Sequence, residues 1–278
     1  MHKQYMLGIN VLGGADLTIP QHIDLIKQVG WDAFFTVWDH DRVEEWANTA
    51  ARNGLIYQSI HSPFSHKHKV SYLWQNCEEG DFVADQLIEC VRDCARFDIP
   101  VMVIHPFIGF RDHSPTQIGL DRYSRVIDVA SKLGVTLGFE NVEGEEYLAA
   151  LMKTFWNEPC MGFCLDTGHE QCYNGGKDMM ALYGEKLCHT HLNDNLGVLD
   201  KALPIDLSWK NDLHLMMGDG IVDWKGVMDR IDASPYRGPL MCELKLAHSV
   251  HDKHPTMAID EFYALALNRA RLLRERKL

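Results

Sequence analysis

Eight short apolar runs alternate with segments of helical periodicity along 278 residues, and no linker or change of composition divides them. Run after run ends on a histidine or a carboxylate. Together these observations predict an α/β fold, a (β/α)8 TIM barrel forming one domain over residues 1–278. In that architecture the functional groups sit at the C-terminal ends of the strands. A doubly wound open sheet shares the alternation but gathers its ligand at one switch point, whereas here the polar strand ends are spread along the whole chain.

The first strand is predicted at 5–10, closed by the turn-like Gly13-Gly14. Pro20 opens a helix that turns Ile23, Ile26 and Val29 inward and stops at Gly30. A strand at 31–38, a helix at about 41–52 and the cap Gly54 follow, and then a strand at 55–60 delivers His61. After a loop containing His66-Lys67-His68-Lys69, a helix at about 80–97 carries Phe82, Leu87, Cys90, Val91 and Cys94 at helical spacing. The fourth strand, 101–104, ends at His105-Pro106, and a helix at about 115–133 stops at Gly134. The fifth, 135–139, ends at Glu140-Asn141 and leads to a helix at about 145–155. The sixth, 161–165, ends at Asp166 and turns through Thr167-Gly168 to His169. A short helix at about 178–183 precedes the seventh strand, 186–190, which delivers His191. The connection after it, about 195–222, is the longest, and connections of that length are usually functional. A helix at about 224–231, a strand at 239–242 ending at Glu243 and a helix at about 256–273 complete the set.

Hydrophobic residues make up 46% of the chain and charged residues 24%, the proportions of an ordinary globular protein. No apolar run approaches the ~18 residues of a membrane helix, and the N-terminal segment lacks a signal-peptide core. A cytoplasmic protein with no membrane partner is expected. The 8 cysteines form no C-x-x-C pair, and Cys164, Cys188 and Cys242 lie inside apolar runs, as reduced buried thiols do. A net charge of −12, from 39 acidic and 27 basic side chains, argues against a nucleic-acid partner, whose phosphates require a basic surface. Trp74 and Trp209, in predicted loops, are candidates to line a pocket or a homo-oligomer interface.

The strand-end residues are His61, His105, Glu140, Asp166 with His169, His191 and Glu243, and Asp212 and His214 join them from the long connection. A charge at the mouth of a buried strand is costly unless something pairs with it. Alone, Asp166 suits a helix N-cap as well as a ligand, and a single histidine suits a hydrogen-bonded structural residue. Nine such residues at corresponding places point to a divalent metal. Imidazole and carboxylate donors suit Mn, Zn, Fe or Co, and no thiolate cluster suggests a structural zinc.

The marks H-S-P (61–63), H-P (105–106), E-N (140–141), D-T-G-H (166–169), H-L-N-D (191–194), D-L-H (212–214), G-D-G (218–220) and Glu243 resemble the xylose-isomerase-like TIM-barrel superfamily. That superfamily holds sugar isomerases and epimerases as well as abasic-site nucleases of the endonuclease IV type. The first branch implies one divalent metal, Mn, Zn or Co, held by Glu140, Asp166, His191 and Glu243. It implies that Glu140 and Glu243 move a proton at the carbon next to a carbonyl through a metal-stabilised enediolate. His169 would contact a substrate oxygen, and His61 and His105 are further substrate-side candidates. Glu146, six positions after Glu140, matches a substrate-contacting glutamate of the ketose epimerases and equally suits the first turn of a helix. Lys245, two residues after Glu243, is a candidate for a substrate oxygen or phosphate if the strand continues. One departure stands out: those epimerases carry an arginine six positions after the strand-seven histidine, and here that position is Gly197. This separates the substrate from theirs and leaves the metal set intact.

The nuclease branch implies three zinc ions on nine ligands, and His61, His105, Glu140, Asp166, His169, His191, Asp212, His214 and Glu243 match all of them in type. The basic run at 66–69, however, would neutralise few phosphates. The resemblance therefore implies first a metal-dependent isomerase or epimerase acting on a small carbohydrate or its phosphate. The trinuclear phosphoesterase comes second. A non-catalytic metal-dependent sugar-binding protein comes third, since it has no need of the two glutamates.

Overall fold

Apolar runs buried on both faces become parallel strands when helices cover one face and a packed interior covers the other. The computed structural model describes residues 3–12, 17–111, 114–246 and 249–278. The strands are β1 (Leu7–Asn10), β2 (Ala33–Val37), β3 (Ile56–His61), β4 (Val101–Ile104), β5 (Thr136–Glu140), β6 (Met161–Asp166), β7 (Leu187–His191) and β8 (Leu240–Cys242). All pair in parallel, in the order β7-β6-β5-β4-β3-β2-β1-β8. Past the end of β7, Leu192 donates its N–H to Met241 O at 2.8 Å and accepts the N–H of Glu243 at 3.1 Å. This parallel bridge between Leu192 and Cys242 joins the two ends of the sheet and closes the barrel.

The helices are α1 (Ile19–Val29), α2 (Val43–Asn53), α3 (Glu78–Arg96), α4 (Gln117–Leu133), α5 (Glu145–Phe155), α6 (Thr167–Cys172), α7 (Met179–Tyr183), α8 (Trp224–Ala233) and α9 (Ile259–Arg274). Gly30, Gly54 and Gly134 close α1, α2 and α4 in left-handed conformation, as their positions in the sequence predict. The barrel interior holds two small apolar clusters. Ala33, Phe35 and Met241 form one, and Val101, Val103 and Cys164 the other. A Cβ on Gly8 would lie 2.2 Å from Met241 Sδ, so the glycine makes room for that side chain. At the top of this layer the Phe35 ring lies flat against His191, with centroids 4.8 Å apart and planes at 14°, and forms the floor of the strand-end site.

Three expectations are corrected. Phe82 is 42% exposed, because the inward stripe of α3 runs through Val83, Leu87, Cys90, Val91 and Cys94 and a residue five places before Leu87 falls off it. Thr167 and Gly168 do not form a turn; Asp166 caps α6 and they are its first residues. The segment at 66–69 is not an open loop but leads through two 3-10 turns, His66–His68 and Val70–Trp74, which bury Trp74. The long connection, as expected the longest, contains a 3-10 helix at Ile205–Asn211. The predicted turn at Gly13-Gly14 lies outside the described residues.

Candidate metal centre

Parallel pairing sets Asp166 beside His191, and Glu140 beside Cys164 two residues earlier on β6, so strand register brings all three candidate ligands to the same end of neighbouring strands. Donor atoms of the described residues fall into four sets, within each of which all lie inside 4.8 Å. His61, His105 and Glu140 form one; Glu140, Asp166, His191 and Glu243 the second; His169, Asp212 and His214 the third; Glu140, Cys164 and His191 the fourth. The nine strand-end and long-connection residues read from the sequence are thus brought together, and Glu140 belongs to three of the sets.

The hydrogen bonds around the sets fix which atoms face one another. Nδ1 of His61 donates to Ser62 O at 2.8 Å, Nδ1 of His169 to Asn141 O at 3.0 Å and Nδ1 of His214 to Glu243 O at 3.2 Å. Carbonyl oxygens only accept, so each Nδ1 carries the hydrogen and Nε2 is the nitrogen turned towards the other donors, that of His214 lying 2.9 Å from Asp212 Oδ2. His61 Nε2 faces Glu140 Oε2 at 3.5 Å, and His169 Nε2 faces Asp212 Oδ1 at 3.5 Å. His105 Nε2 stands 3.4 Å from Glu140 Oε2. His191 Nδ1 lies 3.2 Å from Glu140 Oε2 and 3.1 Å from Glu243 Oε2.

Glu140 is fully buried, yet neither of its oxygens receives a hydrogen bond from the described residues; the same holds for both ring nitrogens of His191 and for Asp212 Oδ1. Buried polar atoms are otherwise nearly always paired, and a buried carboxylate left so is among the costliest groups a fold can hold. A cation between these atoms would resolve the cost, and oxygen and imidazole donors at this spacing fit a divalent first-row ion. Electrostatics within the chain point the same way. Burial pushes the Glu140 carboxyl up, but His191 and His105 outweigh it and hold it well below the usual range. Burial likewise lowers His191, which Cys164, Glu243 and Glu140 nonetheless raise well above an ordinary imidazole. Burial brings His105 down to about 4 and Asp166 up to about 6.

Neighbours whose role the sequence did not disclose orient these ligands. Asp166 Oδ1 accepts the N–H of His169 at 2.7 Å as an N-cap, and its Oδ2 accepts Asn193 Nδ2 at 2.8 Å. The Asn141 side chain clamps the Asp166 backbone, accepting its N–H at 2.7 Å and donating to its carbonyl at 2.8 Å. A Cβ on Gly168 would sit 2.0 Å from Asn193 Oδ1, which explains why D-T-G-H and H-L-N-D occur together. A Gly168→Ala variant is therefore expected to displace Asn193, release Asp166 Oδ2 and weaken metal affinity about 10–100-fold. Competition against a fluorescent chelator measures this, and an unchanged affinity would refute the coupling.

Asp194 anchors the long connection. Its carboxylate accepts Gly218 N–H at 2.8 Å, Val222 N–H at 3.0 Å and Trp224 Nε1–H at 2.9 Å. A Cβ on Gly220 would meet Asn195 O at 2.2 Å, so the G-D-G segment can lie against the end of β7 only with glycine there. This anchoring carries Asp212 and His214 over the barrel mouth. Gly197, at φ +72, sits in the left-handed region, where an arginine side chain would be strained.

Above the sets lies a cavity of about 730 Å³, whose wall includes His61, His105, His169, Asp212, His214, Glu243 and Lys245. Phe64, Ile108, Phe110, Tyr173 and Trp209 form its apolar collar. Lys245 shares the inward side with Glu243 although β8 ends at Cys242, and its Nζ lies 3.5 Å from Asp212 Oδ2. Glu146 is exposed in the first turn of α5 and does not line the cavity. Glu143, three residues earlier, does: it is 8% exposed, and its Oε1 accepts the N–H of Gly109 at 2.9 Å. Burial pushes its carboxyl up to about 6. Trp74 lines a neighbouring cavity of about 580 Å³ instead. Cys164 reaches the level of Glu140 and His191, but burial holds its thiol up near about 12, so it stays protonated and acts as packing.

A family model described as xylose isomerase-like TIM barrel matches residues 23–262. A protein of Sinorhizobium fredii, itself uncharacterised, is 31% identical over 109 residues, which is 39% of this chain and 31% of that one. Inosose dehydratase of Lactiplantibacillus plantarum is 25% identical over 151 residues, 50% of this chain and 48% of the relative. The chain thus matches less than half the length of either relative. Among solved structures, L-ribulose 3-epimerase superposes with a TM-score of 0.71 at 15% identity, covering 99% of this chain and 96% of that one, a likeness of fold.

Proposed function

Because the chain belongs to the xylose isomerase-like TIM barrel family, we propose that it is a divalent-metal-dependent isomerase or epimerase of a small carbohydrate or its phosphate. The observation that carries this reading is the pair of carboxylates converging on one imidazole: Glu140 and Glu243 lie 3.2 and 3.1 Å from His191 Nδ1. An ion held by Glu140, Asp166, His191 and Glu243 would supply Lewis-acid polarisation of a carbonyl and its neighbouring hydroxyl. Glu243, on the cavity wall, is the group placed to remove the proton from the carbon beside that carbonyl. Return of the proton by the same carboxylate to the former carbonyl carbon, with the neighbouring hydroxyl's proton passing to the former carbonyl oxygen, gives an isomer. Return from the opposite face gives an epimer, with Glu140 as the second carboxyl of the pair. His169 and Lys245, on the wall, bind substrate oxygens, and the apolar collar excludes water. Inosose dehydratase and L-ribulose 3-epimerase both act, by name, on carbonyl-bearing polyols, in keeping with this reading.

A second reading has its own observation. The sets around His61 and His105 and around His169, Asp212 and His214 supply donors for two further ions, as a trinuclear phosphoesterase would require. Against it, a cavity of about 730 Å³ with an apolar collar suits a small molecule, and a net charge of −12 opposes a duplex.

One experiment separates the two. Chelator-treated protein is reloaded with Mn, Zn or Co, counted by elemental analysis, and incubated in D2O with a panel of ketoses and ketose phosphates and, separately, with an abasic-site duplex. Deuterium at the carbon beside the carbonyl, dependent on metal, is the expected result. Strand cleavage without exchange into any sugar would reverse the assignment.

A further inference from the structure

Of the carboxyl groups among the described residues of the cavity wall, Asp212 and Glu243 belong to donor sets and Glu143 belongs to none. Its environment is unusual for a group outside the ligand cluster. Gly109, at φ +138, turns its N–H inward to hold Oε1, a backbone conformation that side-chain-bearing residues rarely adopt. The carboxyl accepts that hydrogen bond, at 2.9 Å, and its own backbone N–H also bears on it. A carboxyl offers about four acceptor positions, and one so deeply buried is normally more fully bonded than this. Ile108 and Phe110, flanking Gly109 on the cavity wall, offer it no side-chain donor. Glu143 lines the cavity, so a donor group of a molecule bound there can reach its carboxyl.

A hydroxyl is such a group. We propose that Glu143 binds one hydroxyl of the polyol substrate, Gly109 fixing one carboxyl oxygen so that the other is presented to the ligand, and that this contact makes the enzyme reject a substrate deoxygenated at that carbon. The inference rests on the carbohydrate reading above. It assigns a specificity residue that lies outside the ligand motifs, on the short segment between β5 and α5.

The test uses metal-loaded protein and the ketose that wild type enolises, identified by deuterium incorporation across ketopentoses and ketohexoses. Each singly deoxygenated analogue of that sugar is then compared with it in wild type, Glu143→Gln and Glu143→Ala, with folding checked by circular dichroism. Wild type is expected to favour the parent sugar by about 10–100-fold in kcat/KM at one carbon, the scale of a hydrogen bond to an ionisable group. Glu143→Ala should lose activity on the parent but not on that analogue, so the ratio falls towards one. Glu143→Gln, which still donates and accepts, should keep most of it. If the Ala variant loses activity equally on all sugars and leaves every ratio unchanged, Glu143 is structural and the proposal fails. If wild type exchanges deuterium into no sugar, the carbohydrate reading itself fails before any variant is compared, and this inference falls with it.

Discussion

Replacing Glu243 by glutamine is expected to lower solvent-deuterium exchange at the substrate carbon about 10²–10⁴-fold, the range of a positioned acid–base group, while the fold persists. Glu243 sits just past a three-residue strand, its backbone N–H is held by Leu192 O, and its side chain faces the His191 and His214 imidazoles and the cavity. A glutamine has the same shape but cannot take a proton. It is also a poorer ligand, so exchange must be measured at saturating metal and the affinity titrated separately. Full exchange under those conditions would remove Glu243 from the proton path. The comparison also distinguishes a base from a mere ligand, because a ligand's loss is recovered by added metal and a base's loss is not.

The second large effect is on stability. Asp194→Ala should destabilise the metal-free protein by roughly 3–5 kcal/mol, since it leaves the buried Asn195 and Val222 amides and the Trp224 indole without an acceptor and each buried orphan costs about 1–3 kcal/mol. Trp224 and Val222 are buried, so water cannot replace the carboxylate without opening the connection. Urea titration of both proteins after chelation measures the difference, and a loss below about 1 kcal/mol would show that the connection is held elsewhere. Because the same segment carries Asp212 and His214, the variant should also lose the donor set they share with His169 more severely than the set around Glu140. An Asp194→Asn variant can keep part of the acceptor capacity and should fall between.

The contrast between these two residues shows what could be read from the chain. Glu243 and its eight companions were legible because strand ends repeat a chemical signature, and the barrel was legible because alternation of period and length admits few alternatives. His61 and Glu140 close their strands, and β4 spans the predicted Val101–Ile104. What the pattern could not show is which of two nearby glutamates turns inward. Glu146 matched a spacing, but the turn through Gly144, at φ +73, starts α5 so that Glu143 faces the cavity and Glu146 faces solvent. Backbone geometry in a three-residue segment decides that, and no periodicity registers it. Asp194 and Asn193 were visible only as letters of a motif, because their partners lie far along the chain or across the barrel. Phe82 shows the reverse error, an apolar residue counted into a stripe whose angle it misses by a fraction of a turn.

Glu140 has a consequence of another kind. Its carboxylate is shared by the set containing His61 and His105 and by the set containing His191 and Glu243. Two cations that draw on one anion compete for it and repel each other, so their affinities are linked, and by reciprocity each weakens the other by the same factor. Filling is then stepwise: the four-residue set with three carboxylates saturates first, and occupancy elsewhere follows only at higher free metal. The stoichiometry of a preparation becomes a function of the concentration at which it was equilibrated. A titration with a plateau at one ion per chain, followed by a second rise, is the signature of that coupling, and the chemistry at each plateau can be assayed in turn.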